Sequence, residues 1–191
     1  KGYEPQYTRN ALQLNNGDGT FSDIAFLSHV SSTDWSWASL FADYDNDGDK
    51  DLMVTNGFYR DLGDQDYIHY QAKLNNPIRK QSAKRIEKLK AVKTLANIPL
   101  QDYLFENNND LTFAKRSTDW GFNEPGFSNG ACYADLDNDG DLELIINQFN
   151  SKAKIFKNNA NELLKNNYLS IKLKCKQPNT DAIGSKVYVF T

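Results

Sequence analysis

An all-β fold is predicted by three features of this 191-residue sequence. An acidic, glycine-centred loop occurs twice, each occurrence lies between two short β-branched or aromatic runs, and Asn/Asp/Gly turn clusters recur around both in the same order. The offset is constant: Asp135 follows Asp43 by 92 positions, and the same step carries Leu12 to Leu104, Asn15 to Asn107, Asp18 to Asp110 and Phe21 to Phe113. Four short strands per recurring unit, separated by turn signals, is the sequence pattern of a propeller blade, so the chain is expected to be a partial β-propeller.

Taken in order, each copy opens with a strand, Ala11-Leu-Gln-Leu in the first and Tyr103-Leu-Phe-Glu in the second. It turns at Asn15 to Gly19 or Asn107 to Asp110, and runs through a Thr-Phe strand at 20–21 or 112–113. A variable segment then leads into a strand ending in aromatic and small residues, Trp37-Ala-Ser-Leu-Phe-Ala or Gly130-Ala-Cys-Tyr-Ala. The acidic loop follows, and after it a β-branched run, Leu52-Met-Val-Thr-Asn or Leu142-Glu-Leu-Ile-Ile-Asn. A third start is legible at Lys154-Ile-Phe-Lys-Asn158-Asn159, which matches the opening of the second copy. The expected division is a first repeat at 1–58, an inserted helical segment at 59–102, a second repeat at 103–160 and the start of a C-terminal β domain at 161–191.

The loops carry the chemistry. Asp43, Asp45, Asp47, Asp49 and Asp51 place five aspartates within nine residues, a repulsion of about 1 kcal/mol per close pair even in water. A bound dication removes that cost. Hard oxygen ligands at alternate positions around a turn suit an ion that takes about six to eight oxygens, and calcium is the expected occupant of two sites. The side chains expected as ligands are Asp43, Asp45, Asp47 and Asp51, then Asp135, Asp137, Asp139 and Glu143, with the main-chain carbonyls of Asp49 and Asp141 completing the sets. An ordinary solvated turn would account for Gly48 and Gly140 but not for alternating carboxylates on either side, present twice. An EF-hand is excluded, because the twelfth loop positions are Val54 and Ile146 instead of Glu, and strands flank the loops.

The 92-residue step exceeds the roughly 40–60 residues of a single blade, which is why an insertion is placed at 59–102. Within it, residues 75–97 predict one amphipathic helix, with Pro77 near its start and Ile86, Leu89, Val92, Leu95 and Ala96 at helical spacing. Arg79, Lys80, Lys84, Arg85, Lys88, Lys90 and Lys93 give it a basic outer face and supply seven of the 22 basic residues. That face is a solvated blade-edge cover or a lid for an acidic partner. Upstream, His69 with Asp64, Asp66, Tyr67 and Tyr70 is expected on a surface loop, the lesser option being the lining of a pocket at the start of the insertion.

These motifs resemble the bacterial VCBS or FG-GAP repeat proteins that carry an ASPIC and UnbV domain, with animal cartilage acidic protein as a more distant relative. The resemblance rests on Asn15-Asn-Gly-Asp-Gly-Thr-Phe21, the two acidic loops, and Asn167-Tyr-Leu-Ser-Ile-Lys-Leu followed by Asn179-Thr-Asp-Ala-Ile-Gly184-Ser-Lys-Val187. Such repeats are similar to the calcium-binding blades of integrin α-subunit propellers. The resemblance implies an extracellular, cell-surface or periplasmic bacterial protein with a calcium-stabilised propeller that binds a protein or glycan ligand. Propellers close with about four to eight blades, so two copies are expected to be part of a longer array.

Other function classes find little support in the residues. With 25 acidic against 22 basic residues and no recognised motif, nucleic-acid binding is not expected. No apolar run reaches the roughly 18 residues needed to span a bilayer. His29 and His69 are isolated and no nucleophile motif is present, so the chain itself is expected not to be an enzyme; the alternative is part of an extracellular polysaccharide-acting enzyme with catalytic residues outside this sequence. Cys132 aligns with Leu40 and is expected as a buried apolar thiol, a bridge to Cys175 being the lesser option. Trp35 and Trp37 are expected to pack between blades more than to stack on sugar rings.

Overall fold

The computed structural model describes residues 8–74, 81–164, 166 and 168–190. Along the chain run β1 (Gln13–Asn15), β2 (Phe21–Asp23), β3 (Ser36–Ala42), β4 (Asp51–Asn56), α1 (Gln65–Leu74), α2 (Gln81–Thr94), β5 (Tyr103–Asn107), β6 (Phe113–Lys115), β7 (Ser128–Ala134), β8 (Glu143–Gln148), β9 (Lys154–Phe156) and the short α3 (Ala160–Leu163). The strands form three antiparallel sheets, β1-β2, β3-β4-β5-β6 and β7-β8-β9. The fold is mostly β, as expected.

Sheet and sequence copy are out of phase by two strands. The four strands of one copy do not make one sheet: β3 and β4, which end copy one, pair with β5 and β6, which open copy two. β9, the third start, continues β7 and β8 in the same way. The reason is hydrogen-bond satisfaction, because β4 and β8 are interior strands and need a partner on each side, which the next opening strand supplies. The 92-residue equivalence extends to detail. Asn16 N–H donates to Thr20 O and Asn108 N–H to Thr112 O, both at 3.0 Å, and the β3–β4 and β7–β8 ladders shift register at Ser36/Ser39 and Ser128/Gly130.

Strand β4 is buried along its whole length, and its alternating faces feed two cores. Leu52 and Val54 pack with Ala25, Val30, Phe105 and Phe113, between the β1–β2 hairpin and the middle sheet. Met53 points the other way, packing with Ala42, Leu104, Leu144 and Ile146 between the middle and third sheets. Leu144 and Ile146 are the second-copy equivalents of Leu52 and Val54, so each sheet turns the same two positions toward its predecessor. Gly57, at φ +129°, lets the chain pass the Gly126 carbonyl, where a Cβ would collide with the backbone.

The same alternation corrects the expectation for Cys132. The cross-strand row Leu40–Met53–Leu104 on the middle sheet corresponds to Cys132–Ile145–Ile155 on the third. The first row is covered by the third sheet; the second faces no further sheet among the described residues. Cys132 is accordingly exposed and free, as is Cys175, and Ile155 is 66% exposed.

Two helices, not one, fill the insertion. Residues 65–74, expected as a surface loop, form α1 because Asp64 Oδ1 accepts the Tyr67 N–H (2.8 Å), Asp66 lies in the first turn, and Tyr67 and Leu74 are buried. Helix α2 lies within the expected 75–97, but Ile86 and Leu89 are exposed, so the predicted apolar stripe is not a packed face. Pro77, Arg79 and Lys80 lie outside the described residues. Where the insertion leaves and rejoins the sheet, Phe58 and Ile98 exchange backbone hydrogen bonds and the Arg60 guanidinium donates to Leu95 O (2.6 Å). Among residues 168–190 there is no strand or helix; Cys175 N–H donates to Thr180 O across a turn. Trp35 and Trp37 are half-exposed rather than packed between sheets, Trp35 stacking on Phe58 with ring centroids 4.3 Å apart.

Candidate metal centres

Each acidic loop closes one antiparallel pair, β3–β4 or β7–β8, at the same end of its sheet. The turn needs two departures from ordinary backbone, two positions apart: Asn46 and Gly48 have φ of +57° and +98°, and Asn138 and Gly140 have +61° and +92°. Asparagine and glycine are the residues that adopt this region cheaply. The first loop is then wound around its own carboxylates, with Asp47 N–H and Gly48 N–H donating to the two oxygens of Asp43 (3.1 Å each) and Asp49 N–H donating to Asp47 Oδ1 (3.0 Å).

Winding brings Asp43, Asp45 and Asp51 together, one carboxylate oxygen of each lying within 4.8 Å of the others. In the second loop Asp135, Asp137 and Glu143 make the equivalent group, and Asp139, Asp141 and Glu143 make another that shares Glu143. Of the ten acidic residues singled out by sequence, eight therefore fall into clusters. Asp47 and Asp49 do not, Asp47 capping the Asp49 N–H instead. Asp141 enters through its side chain, whereas sequence assigned it a carbonyl.

The last carboxylate of each loop has a second task. Asp51 accepts from Tyr44 N–H and from Asn107 N–H, both at 3.0 Å. Glu143 repeats this with Leu136 N–H (2.7 Å) and Asn158 N–H (3.3 Å). Both asparagines also donate a side-chain amide to a loop carbonyl, Asn107 to Lys50 O (3.1 Å) and Asn158 to Leu142 O (3.4 Å). One carboxylate thus joins the start of its loop to the strand that opens the next repeat.

Electrostatics mark the clusters as short of positive charge. Burial, with the Asp47 charge adding to it, pushes Asp45 up to about 6; burial pushes Asp51 up to about 7 and Asp141 up to about 6. Asp137 goes the other way, held below the usual carboxylate range by the Lys157 ammonium 2.9 Å away. Asp141 is fully buried, and its Oδ1, like Asp49 Oδ1, has no hydrogen-bond partner among the described residues. A buried, unpartnered carboxylate oxygen beside two further carboxylates fits a hard cation, and the donor set is entirely oxygen. Beside the loops lies a cleft of about 590 Å³, lined by Tyr44, Asp45, Trp120, Phe122, Phe156 and Leu164 among others.

Sequence reasoning missed the asparagines. Asn158 was visible as the match to Asn107 in the recurring strand opening, but nothing in its local sequence shows that it reaches back to the preceding loop. Asn46 recurs as Asn138, but neither that repeat nor the local sequence of Asn161 shows that Asn46 reaches the other loop.

Antiparallel sheets that repeat with a closing acidic loop define a β-propeller-like scaffold. The FG-GAP-like repeat family matches the chain over residues 5–54 and 95–146, more than half its length, and the chain belongs to that family. The gap between the two matches spans most of the insertion. No match to the chain is found among curated proteins.

Proposed function

We propose that this chain is a calcium-stabilised propeller segment of an exported protein, a scaffold for binding a protein or glycan ligand and not itself an enzyme. One observation carries the reading: equivalent carboxylate triads, Asp43/Asp45/Asp51 and Asp135/Asp137/Glu143, at the same position of two family repeats, the second beside the unpartnered Asp141 oxygen. Calcium, when bound, would offset part of each loop's negative charge and hold two strand ends together. Asp43, Asp45 and Asp51 would hold one ion; the other would sit at Glu143, which belongs both to the group with Asp135 and Asp137 and to the group with Asp139 and Asp141. Asp51 and Glu143 would pass that restraint to the next repeat through Asn107 and Asn158. Such a design would suit an exported protein, since extracellular modules work with dissociation constants of about 10⁻⁴–10⁻³ M where calcium is plentiful.

The sheet ends opposite the loops carry half-exposed aromatics, Trp35 and Trp37 at the start of β3 and Phe149 just after β8. Tyr59 meets Phe149 at 4.6 Å and donor Asn150 Nδ2 approaches the Tyr59 hydroxyl at 3.2 Å, so flat apolar faces and polar groups alternate there, a surface suited to stacking on a sugar ring. No helix among the described residues is long and apolar enough to cross a membrane.

Calorimetric titration of the chelator-treated protein tests the proposal. Two calcium sites with little response to magnesium are expected, one lost in Asp43→Ala and the other in Asp135→Ala. Absence of calcium binding in the unmodified chain would overturn it.

A further inference from the structure

Resting on the calcium reading above, we propose that the two loops bind their cations as a coupled pair, and that Asn46, Asn158 and Asn161 are the coupling residues. Three side chains cross between the loops. Asn46, at the tip of the first loop, donates its amide to Gly140 O in the second (3.3 Å) and to Asn161 Oδ1 (2.8 Å). Asn161 in turn donates its own amide to Asp139 O (2.6 Å) and its backbone N–H to Asp141 Oδ2 (3.2 Å). Asn158 makes a second bridge: its amide reaches Tyr44 O in the first loop (2.7 Å) while its backbone N–H meets Glu143 Oε1 in the second (3.3 Å).

Each bridge ends on a group that belongs to a cluster or to the backbone between cluster members. Tyr44 lies between Asp43 and Asp45; Asp141 and Glu143 are cluster carboxylates themselves. An ion that orders the first loop therefore also fixes Asn46 and the Tyr44 carbonyl, and through them the segment 158–161 that positions Asp141 and Glu143. The second ion then binds a loop whose ordering cost has already been met, which is positive coupling between sites. Coulomb repulsion opposes it, because the first dication weakens the negative field felt by the second. That term falls off over a Debye length of about 8 Å at physiological salt, whereas the hydrogen-bonded bridge does not depend on ionic strength. Coupling should consequently grow as salt is raised.

Two variants isolate the bridge. Asn46→Gly removes the amide while keeping a residue that tolerates positive φ, and Asn161→Ala removes its partner. Asn138→Gly makes the same change at the equivalent position of the second loop, whose side chain makes no hydrogen bond to the first loop among the described residues, and serves as control. Calcium titrations of the unmodified chain, followed by calorimetry and by the melting temperature at each calcium level, should show the second ion binding about 5-fold or more tighter than the first. The Asn46→Gly/Asn161→Ala protein should still bind two ions, with the coupling reduced to what the remaining Asn158 bridge carries, while Asn138→Gly stays fully coupled. Two independent sites in the unmodified chain, or undiminished coupling in the double variant, would overturn the inference while leaving calcium binding intact. No binding at all would instead remove the reading on which it rests.

Discussion

Asp51 is both a cluster carboxylate and the acceptor for two backbone N–H groups, and the two roles make separable predictions. Asp51→Ala leaves Tyr44 N–H and Asn107 N–H without their acceptor and should cost about 1–3 kcal/mol in chelator as well as in calcium, after allowing for relief of a buried charge. Asp43→Ala also removes the acceptor of two backbone N–H groups, but those of Asp47 and Gly48 are exposed and water replaces the carboxylate, so it should lower the melting temperature mainly in calcium. Chemical denaturation of both variants in the two buffers checks this. The pH dependence follows from the raised carboxyls of Asp45 (about 6) and Asp51 (about 7), both driven first by burial. Between the unfolded value near 4 and these folded values the native state binds more protons, so their contribution is fully present below about pH 4 and is lost as pH rises toward 7. In chelator, the protein should melt higher at pH 5 than at pH 7.5. In calcium the trend should weaken or reverse, because the ion requires the ionised form. At this scale the acidic clusters were legible, since alternating carboxylates around a turn bring their oxygens together, whereas the asparagines were not, since their partners lie up to 115 residues away in sequence.

Among the elements, β4 and α2 contrast in burial. Met53 is completely buried between two sheets, and Met53→Ala should cost about 2–5 kcal/mol. Ile86 and Leu89 on α2 are more than half exposed, so Ile86→Gln and Leu89→Gln should each change stability by less than about 0.5 kcal/mol. A destabilisation of 1 kcal/mol or more at either site, about the cost of losing a packed methylene, would show that the stripe is packed after all. Urea unfolding of the three variants makes the comparison. Strands were legible because β-branched and aromatic runs sat between turn residues. Helix α1 was hidden, since Asp64-Gln-Asp-Tyr reads as polar loop until Asp64 is seen capping and Tyr67 buried. The spacing of Ile86, Leu89 and Val92 announced a helix correctly, but periodicity alone says nothing about whether a partner surface is present.

For the whole molecule, the repeat was legible and the phase of the sheets was not. A constant offset of 92 residues shows that two units are alike but leaves open which strands share a sheet, and hydrogen bonding of β4 and β8 on both sides decides it. That phase makes the loops more than local turns, because each last carboxylate grips the strand opening the following repeat. It also leaves Cys132, Ile145 and Ile155 on a sheet face that no described element covers, although the equivalent row on the middle sheet is packed. Self-association through this apolar row is expected at high concentration, and sedimentation analysis of Ile155→Lys should return a smaller apparent mass than the unmodified chain. Ion binding should likewise be felt across the three sheets, since any ligand selective for the native state adds to its stability as its concentration rises. The most direct measurement is the melting temperature of the unmodified chain across a calcium series, set against excess magnesium and against chelator. A rise that continues with calcium concentration and is not reproduced by magnesium is the predicted result; one melting temperature in all three conditions would contradict a calcium-stabilised scaffold.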